Sequence, residues 1–352
     1  MYLDWLRGVA VVAMVLAHVT DSWTRDADRA SESYYVVAFI AGVASPLFLF
    51  LAGIATAMSA ASKARGAGSH YTGAIIARRR GWEIFLLGLV FRLQAQLLGM
   101  GPLDNMLKVD MLNIMGLSMV AASYLWQTSE RLRPRLAMFA IAAAAAALVT
   151  PIVRDLTWLA ALPDPLEAYL RPAGSYAAFS IFPWAAFLLA GVIVGDLVDA
   201  VRQTPARHVL LQNSLAIAGG AGVMLAWFAS FQPAIYESSS FWHDSPTFFF
   251  IRLGLVTLLV PLSWVLEQLL PARVIQPLAT MGRSSLFVYW IHVEMVYGVV
   301  AEPIKRTMPL WLSLTSTALL SLALYGLVRW KNRVLERHEL RGPWRIVAPV
   351  VR

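Results

Sequence analysis

The sequence predicts an all-α protein, a polytopic transmembrane helix bundle of about ten helices with both termini cytoplasmic. Three observations carry this. Of 352 residues, 59% are hydrophobic and only 14% charged, against about 25% charged in an average soluble domain. The apolar residues gather into runs of about twenty, the length that crosses about 30 Å of hydrocarbon. The Lys and Arg residues divide unevenly between alternate connections, eighteen on the side of the two termini and seven on the other, and this asymmetry orients the bundle.

The first span covers 3–20. Asp4 and Arg7 lead straight into it and no small-x-small cleavage site precedes Asp21-Ser22-Trp23, so it reads as a transmembrane helix and not a signal peptide. An acidic outer loop, 21–33, separates it from span 34–60. A basic inner loop with Lys63, Arg65, Arg78, Arg79 and Arg80 leads to spans 81–100 and 109–127, divided by the short break Gly99-Met100-Gly101-Pro102. Span 136–153 follows, then an outer loop, 154–178, carrying Pro163, Pro165 and Pro172, with Trp158 and Tyr169 suited to headgroup level. The remaining spans are 179–198, 209–231, 247–266, 279–300 and 310–328. A transmembrane domain over 1–328 is thus followed by a basic tail, 329–352, on the cytoplasmic surface.

The net charge of +8 lies between apolar spans and not in a DNA-reading motif, so it reads as topology signal and lipid contact, and no nucleic-acid partner is predicted. The absence of cysteine excludes disulfides, thiolate nucleophiles and Cys-based metal sites. There is no Walker loop, no strand-flanked GxGxxG, no HExxH and no metal-ligand pair at helical spacing, so no metal is predicted.

Ionisable residues inside spans are costly and mark functional sites by default. Arg7 and His18 are eleven residues apart. At about 100° per residue that is about three turns plus 20°, so they share a helix face, and at about 1.5 Å per residue they lie about 16 Å apart. Asp4 and Asp21 fall near the same stripe, and Asp21, at i+3 from His18, is placed to orient the imidazole or raise its basicity. Further polar residues sit at mid-membrane to outer depth: Arg92, Asp104, Asp110, Asn113, Trp242, Arg252, His292 and Glu294. Arg92 with Asp110 and Arg252 with Glu294 are candidate pairs, and both arginines read equally well as interhelical ties. His18 and His292 are the only histidines in spans.

Four groups of residues together resemble the heparan-α-glucosaminide N-acetyltransferase family, in particular its bacterial branch, within the wider acyltransferase-3-like superfamily of transmembrane acyltransferases. They are Leu3-Asp4-Trp5-Leu6-Arg7-Gly8 through His18, Ser45-Pro46 through Gly53, Asp110-Met111-Leu112-Asn113 through Ser118, and Phe182-Pro183-Trp184 with Gly191, Gly195 and the run Gly282 through His292. His18 matches the Arg–x10–His pattern of the wider superfamily, while the loop 19–33 contains no histidine.

The resemblance implies a membrane acyltransferase. It would move an acetyl or short acyl group from cytoplasmic acyl-CoA to a sugar-type acceptor, amine or hydroxyl, on the outer side. His18, with Asp21, would be catalytic; Arg7 and Asp4 would hold the donor. Arg92, Asp110, Asn113, His292, Asp104 and Trp242 would stabilise the oxyanion or meet the acceptor. Acetyl-CoA or another acyl-CoA, a carbohydrate-type acceptor and membrane lipids are the implied partners, with a homodimer allowed. The implied location is a bacterial inner membrane. A proton-coupled transporter of a sugar, lipid intermediate or organic anion also suits intramembrane His, Arg and Asp, though the sequence has no duplicated halves. A non-catalytic sensor would leave the cost of the polar stripe unexplained.

Overall fold

The computed structural model describes residues 2–99, 103–177, 179–236 and 239–339. Hydrocarbon offers backbone N–H and C=O groups no water, so a spanning chain satisfies them inside helices. The described residues contain fifteen α-helices and no β-strand. In chain order these are α1 (Tyr2–Trp23), α2 (Asp26–Arg29), α3 (Glu32–Ala41), α4 (Ala44–Ala67), α5 (His70–Gly99), α6 (Met111–Gln127), α7 (Leu132–Leu148), α8 (Thr150–Asp155), α9 (Asp164–Leu170) and α10 (Ile181–Val201). Then follow α11 (Pro205–Ala229), α12 (Pro246–Leu269), α13 (Ala272–Arg283), α14 (Ser285–Tyr297) and α15 (Leu310–Glu339).

Six stretches among the described residues are long and apolar enough to cross a membrane: Tyr2–Trp23, Glu32–Ala67, Ile181–Val201, Pro205–Ala229, Pro246–Leu269 and Leu310–Arg337. The other predicted spans differ for separate reasons. Helices α6 and α7 have 17 residues each, which is about 26 Å of rise, short of a hydrocarbon core of about 30 Å. Helix α5 is long enough, but Arg78, Arg79, Arg80, Glu83 and Arg92 dilute its apolar character. The stretch 279–300 is not one helix. Its first part belongs to α13, whose apolar Ile275, Ala279 and Met281 are buried, and Ser284, at φ −106° and ψ 25°, separates α13 from α14. The connection predicted at 154–178 also holds more structure than its prolines suggest, with α9 beginning at Asp164 just before Pro165. The predicted boundary at 328 falls inside α15, which continues to Glu339, and residues 340–352 of the basic tail lie outside the described residues.

The chain forms two compact units, one from its two ends (Met1–Ser45 and Leu262–Arg352) and one from its middle (Pro46–Pro261). In the terminal unit α1 lies against α13, α14 and α15. The approach to α13 is backbone to backbone. A Cβ at Gly8 would fall on the backbone of Leu278, and one at Gly282 on the backbone of Asp4. Where lipid replaces water, helices gain by such close packing, and small residues permit it. At the C-terminal end of α1, Ser22 Oγ and Trp23 Nε1 both donate to the Val296 carbonyl of α14, at 3.1 Å each. That carbonyl lies in the last turn of α14, where helical partners run out. Lys331 Nζ of α15 donates to Ser284 Oγ at 3.1 Å, beside the break between α13 and α14.

In the central unit α4 meets α10 in the same way, with Gly53 against the Leu188 backbone and Gly191 against Phe50. Phe187 and Phe249 are buried in its main apolar core. A polar cluster is also buried there. Arg135 Nε and Nη2 donate to the two oxygens of Asp196 at 2.7 and 3.1 Å, and Trp126 Nε1 donates to Asp196 Oδ1 at 3.1 Å. The His70 ring stacks on Trp126 with centroids 3.8 Å apart. Arg135 immediately precedes the predicted span 136–153. It lies instead in the first turn of α7, 9% exposed, because a carboxylate on α10 neutralises it.

Two stability effects are expected. Gly8→Val should drive α1 away from Leu278 and lower stability by about 1–3 kcal/mol, read as a lower Tm in detergent. Arg135→Ala leaves Asp196 buried without its cation and should cost about 3–5 kcal/mol; a variant as stable as the parent would show that the pair is not what holds α7 to α10.

Candidate active site

Helix α1 carries the predicted stripe. At its N-terminal end Arg7 is ion-paired to Asp4 at 3.7 Å, beyond hydrogen-bond range, with the guanidinium side chain 25% exposed. Asp4 sits in the first turn, where the helix dipole favours a negative charge. Three turns further on, His18 is partly buried and meets His292 of α14. His18 Nδ1 and His292 Nε2 are 2.8 Å apart. The ring centroids are 5.0 Å apart with planes at 10°. At that nitrogen separation, such spacing describes two rings joined edge to edge by a hydrogen bond and not face-to-face stacking. His292 is fully buried, and its Nδ1 lies 2.9 Å from the Val288 carbonyl one turn back in α14.

The i+3 spacing predicts Asp21 as the partner that orients His18. In the structure the imidazole's hydrogen bond goes to His292, while Asp21 takes other partners. Arg29 Nη2 donates to Asp21 Oδ1 at 3.1 Å and Tyr297 Oη donates to Asp21 Oδ2 at 3.2 Å. Tyr297 also sets its ring at 64° to that of His18, with centroids 5.4 Å apart. It is a site neighbour that sequence reasoning missed. No spacing rule connects it to residue 18, because the contact depends on α14 lying beside α1.

The remaining candidates belong to the central unit. Asp110 and Asn113 form the N-terminal cap of α6. Asp110 Oδ1 accepts from the Leu112 and Asn113 N–H groups at 2.9 and 3.4 Å, and the Asp110 N–H donates to Asn113 Oδ1 at 3.2 Å. This is the reciprocal capping arrangement, and it occupies polar atoms that the sequence reading assigned to an oxyanion or acceptor. Asn113 Nδ2 also donates to the Phe85 carbonyl of α5 at 3.4 Å. Arg92 Nε lies 3.3 Å from Asp110 Oδ2 as an ion pair, but neither atom has hydrogen-bond geometry. Tyr169 stands nearby; its hydroxyl is pushed up by burial and then by the Asp110 carboxylate. Trp242 is 61% exposed and packs edge-on against Phe241 and Phe248. Arg252 places its guanidinium 4.1 Å from the centre of the Phe248 ring. Asp104 falls in the short 3-10 turn Leu103–Leu107, and its side chain lies outside the described residues.

The loop after α1, just beyond His18 and Asp21, is tied to the start of α15. Arg25 N–H donates to the Met308 carbonyl at 2.8 Å, and the Met308 N–H donates to Trp23 at 2.9 Å. Asp28 Oδ2 accepts from the Leu310 N–H at 2.8 Å, capping α15 from another part of the chain. This bond, followed by that from Arg25, holds the Asp28 carboxyl below its ordinary value of 3.8. A depressed folded value means that the charge stabilises above the unfolded value and ceases to do so as pH falls through the folded one. The Tm difference between the parent and Asp28→Asn should therefore be present near neutral pH and vanish in acid. A difference independent of pH would show that the charge does not anchor the loop.

A search of curated proteins found no match to the chain. Residues 1–233 match the family described as heparan-alpha-glucosaminide N-acetyltransferase, catalytic. The matched region includes Arg7 and His18, whereas His292 and Tyr297 lie beyond it. With the match extending over most of the 352 residues and six membrane-length apolar helices present, the chain belongs to the heparan-alpha-glucosaminide N-acetyltransferase catalytic family and is a membrane-embedded acetyltransferase.

Proposed function

We propose that this enzyme moves an acetyl group, or another short acyl group, from cytoplasmic acyl-CoA to a sugar-type amine or hydroxyl on the outer side of a bacterial inner membrane. One observation carries the reading. Helix α1 holds a cation and an imidazole about 16 Å apart on one face, and each keeps bonding capacity in reserve. The recorded partner of Arg7 is Asp4 at 3.7 Å, which leaves its N–H groups for phosphate oxygens. The recorded hydrogen bond of His18 uses Nδ1 and leaves Nε2 for chemistry. A pantetheine arm spans such a distance, so donor phosphates at Arg7 would place the thioester near His18.

In this reading His18 is the general base. It takes the acceptor's proton as the acceptor attacks the thioester carbonyl, and then returns it to the leaving thiolate. Both termini lie on the cytoplasmic side, as the Lys and Arg distribution directs, in a bundle of about ten membrane segments that includes the shorter helices. The basic stretch from Arg329 faces cytoplasmic headgroups and CoA. The family does not favour the transporter alternative.

The test is acetyl-CoA binding to purified protein in detergent. Arg7→Ala should weaken binding about tenfold, equivalent to losing about 1.4 kcal/mol of charge-assisted hydrogen bonding. His18→Ala should bind normally and lose transfer. Absence of binding to folded parent protein, with other short acyl-CoAs also tried, would overturn the acyl-CoA reading. Full transfer by His18→Ala would remove His18 from the mechanism.

A further inference from the structure

We infer that His292 is a positioning residue that sets the tautomer of His18, so that Nε2 is the atom presented to the reacting groups. The inference rests on the assignment of His18 as general base and adds how that base is prepared.

The argument is a proton count along a chain of bonds. A carbonyl oxygen only accepts, so at 2.9 Å from Val288 the His292 Nδ1 must carry hydrogen. His292 is fully buried, and its hydrogen-bond partners are the backbone carbonyls of Val288 and Tyr289 and another imidazole. A second proton there would be a buried charge without an anion, which is costly. The neutral ring has one N–H, already placed on Nδ1, so its Nε2 is an acceptor. The atom 2.8 Å away, His18 Nδ1, must then be the donor. Neutral His18 therefore has its hydrogen on Nδ1 and a lone pair on Nε2. The direction of the whole chain, from His18 through His292 to the backbone, is set at Val288.

Free imidazole divides its proton between the two nitrogens. A base whose reacting nitrogen already carries hydrogen cannot accept another there, so the orienting bond decides what fraction of molecules is competent. The step balances as follows. The acceptor's proton moves to His18 Nε2 while its O or N bonds to the acyl carbon. The C–S bond then breaks, and the thiolate takes that proton, releasing a free thiol and returning His18 to its starting form. His292 keeps its single proton throughout. While His18 is imidazolium, its Nδ1–H donates more strongly to His292 Nε2, as charge-assisted bonds do. A neutral ring thus occupies the place that the sequence reading gave to Asp21.

The test uses full-length protein in detergent labelled with 15N-histidine, with the His18 signals assigned by their loss in His18→Ala. The expected parent spectrum has Nδ1 of the protonated type and Nε2 of the unprotonated type. His292→Leu should shift His18 toward a mixture. His292→Gln, whose side-chain oxygen stands about where Nε2 stood, should restore the parent pattern. With acetyl-CoA as donor and glucosamine as the acceptor probe, kcat of His292→Leu should fall about 100-fold or more, the scale of general-base catalysis. KM for acetyl-CoA should change little, and His292→Gln should recover most of kcat. A parent His18 protonated on Nε2, or an unchanged tautomer in His292→Leu, overturns the inference. Should His292→Leu fail to fold, the parent and His292→Gln spectra still decide it. Loss of the base assignment looks different: His18→Ala would retain kcat, whatever tautomer the spectra show.

Discussion

The seating of α1 against α13 and α14 is the constraint on which the terminal unit depends. It is made at two heights by two different forces. Low on the helix, the absence of side chains at Gly8 and Gly282 lets backbones touch, and dispersion is gained where lipid provides no hydrophobic drive. At its C-terminal end, Ser22 and Trp23 spend their donors on a terminal carbonyl of α14. Between these two clamps His18 comes within 2.8 Å of His292. A hydrogen bond between two rings tolerates little displacement, so the clamps hold this contact as well as the fold.

Buried polarity in the central unit follows a different rule. Arg135, Asp196 and Trp126 satisfy one another almost completely. Such a cluster is costly to break and has little bonding capacity left for a ligand, so it acts as a fastening between α7 and α10. The cap at Asp110 and Asn113 consumes Asp110 Oδ1 where a helix begins, while Asp110 Oδ2 and Arg92 Nε stay without a hydrogen bond. By contrast, Arg7 and His18 are incompletely satisfied and partly accessible.

Membership in an acetyltransferase family says what is transferred, and the role proposed for α1 would let a membrane be bridged without moving the substrate across it. A rigid helix keeps Arg7 and His18 at a constant separation.

Several features were legible from the sequence alone. Apolar runs of membrane length announce helices because hydrocarbon permits no other lone backbone solution. The shared face of Arg7 and His18 follows from helical geometry once α1 is recognised. The ion pair of Arg92 with Asp110 could be named as a candidate from charge and depth. Other features were decided only by tertiary structure. The break at Ser284 lies in a stretch whose composition still reads as a continuous span. Arg135 looks like a loop charge until α10 supplies Asp196. His18 and His292 were both visible, but their bond joins positions 274 residues apart. The physical reason is common to all three. A local pattern determines which groups an element carries, whereas the partner that satisfies a buried group comes from whichever helix packs beside it.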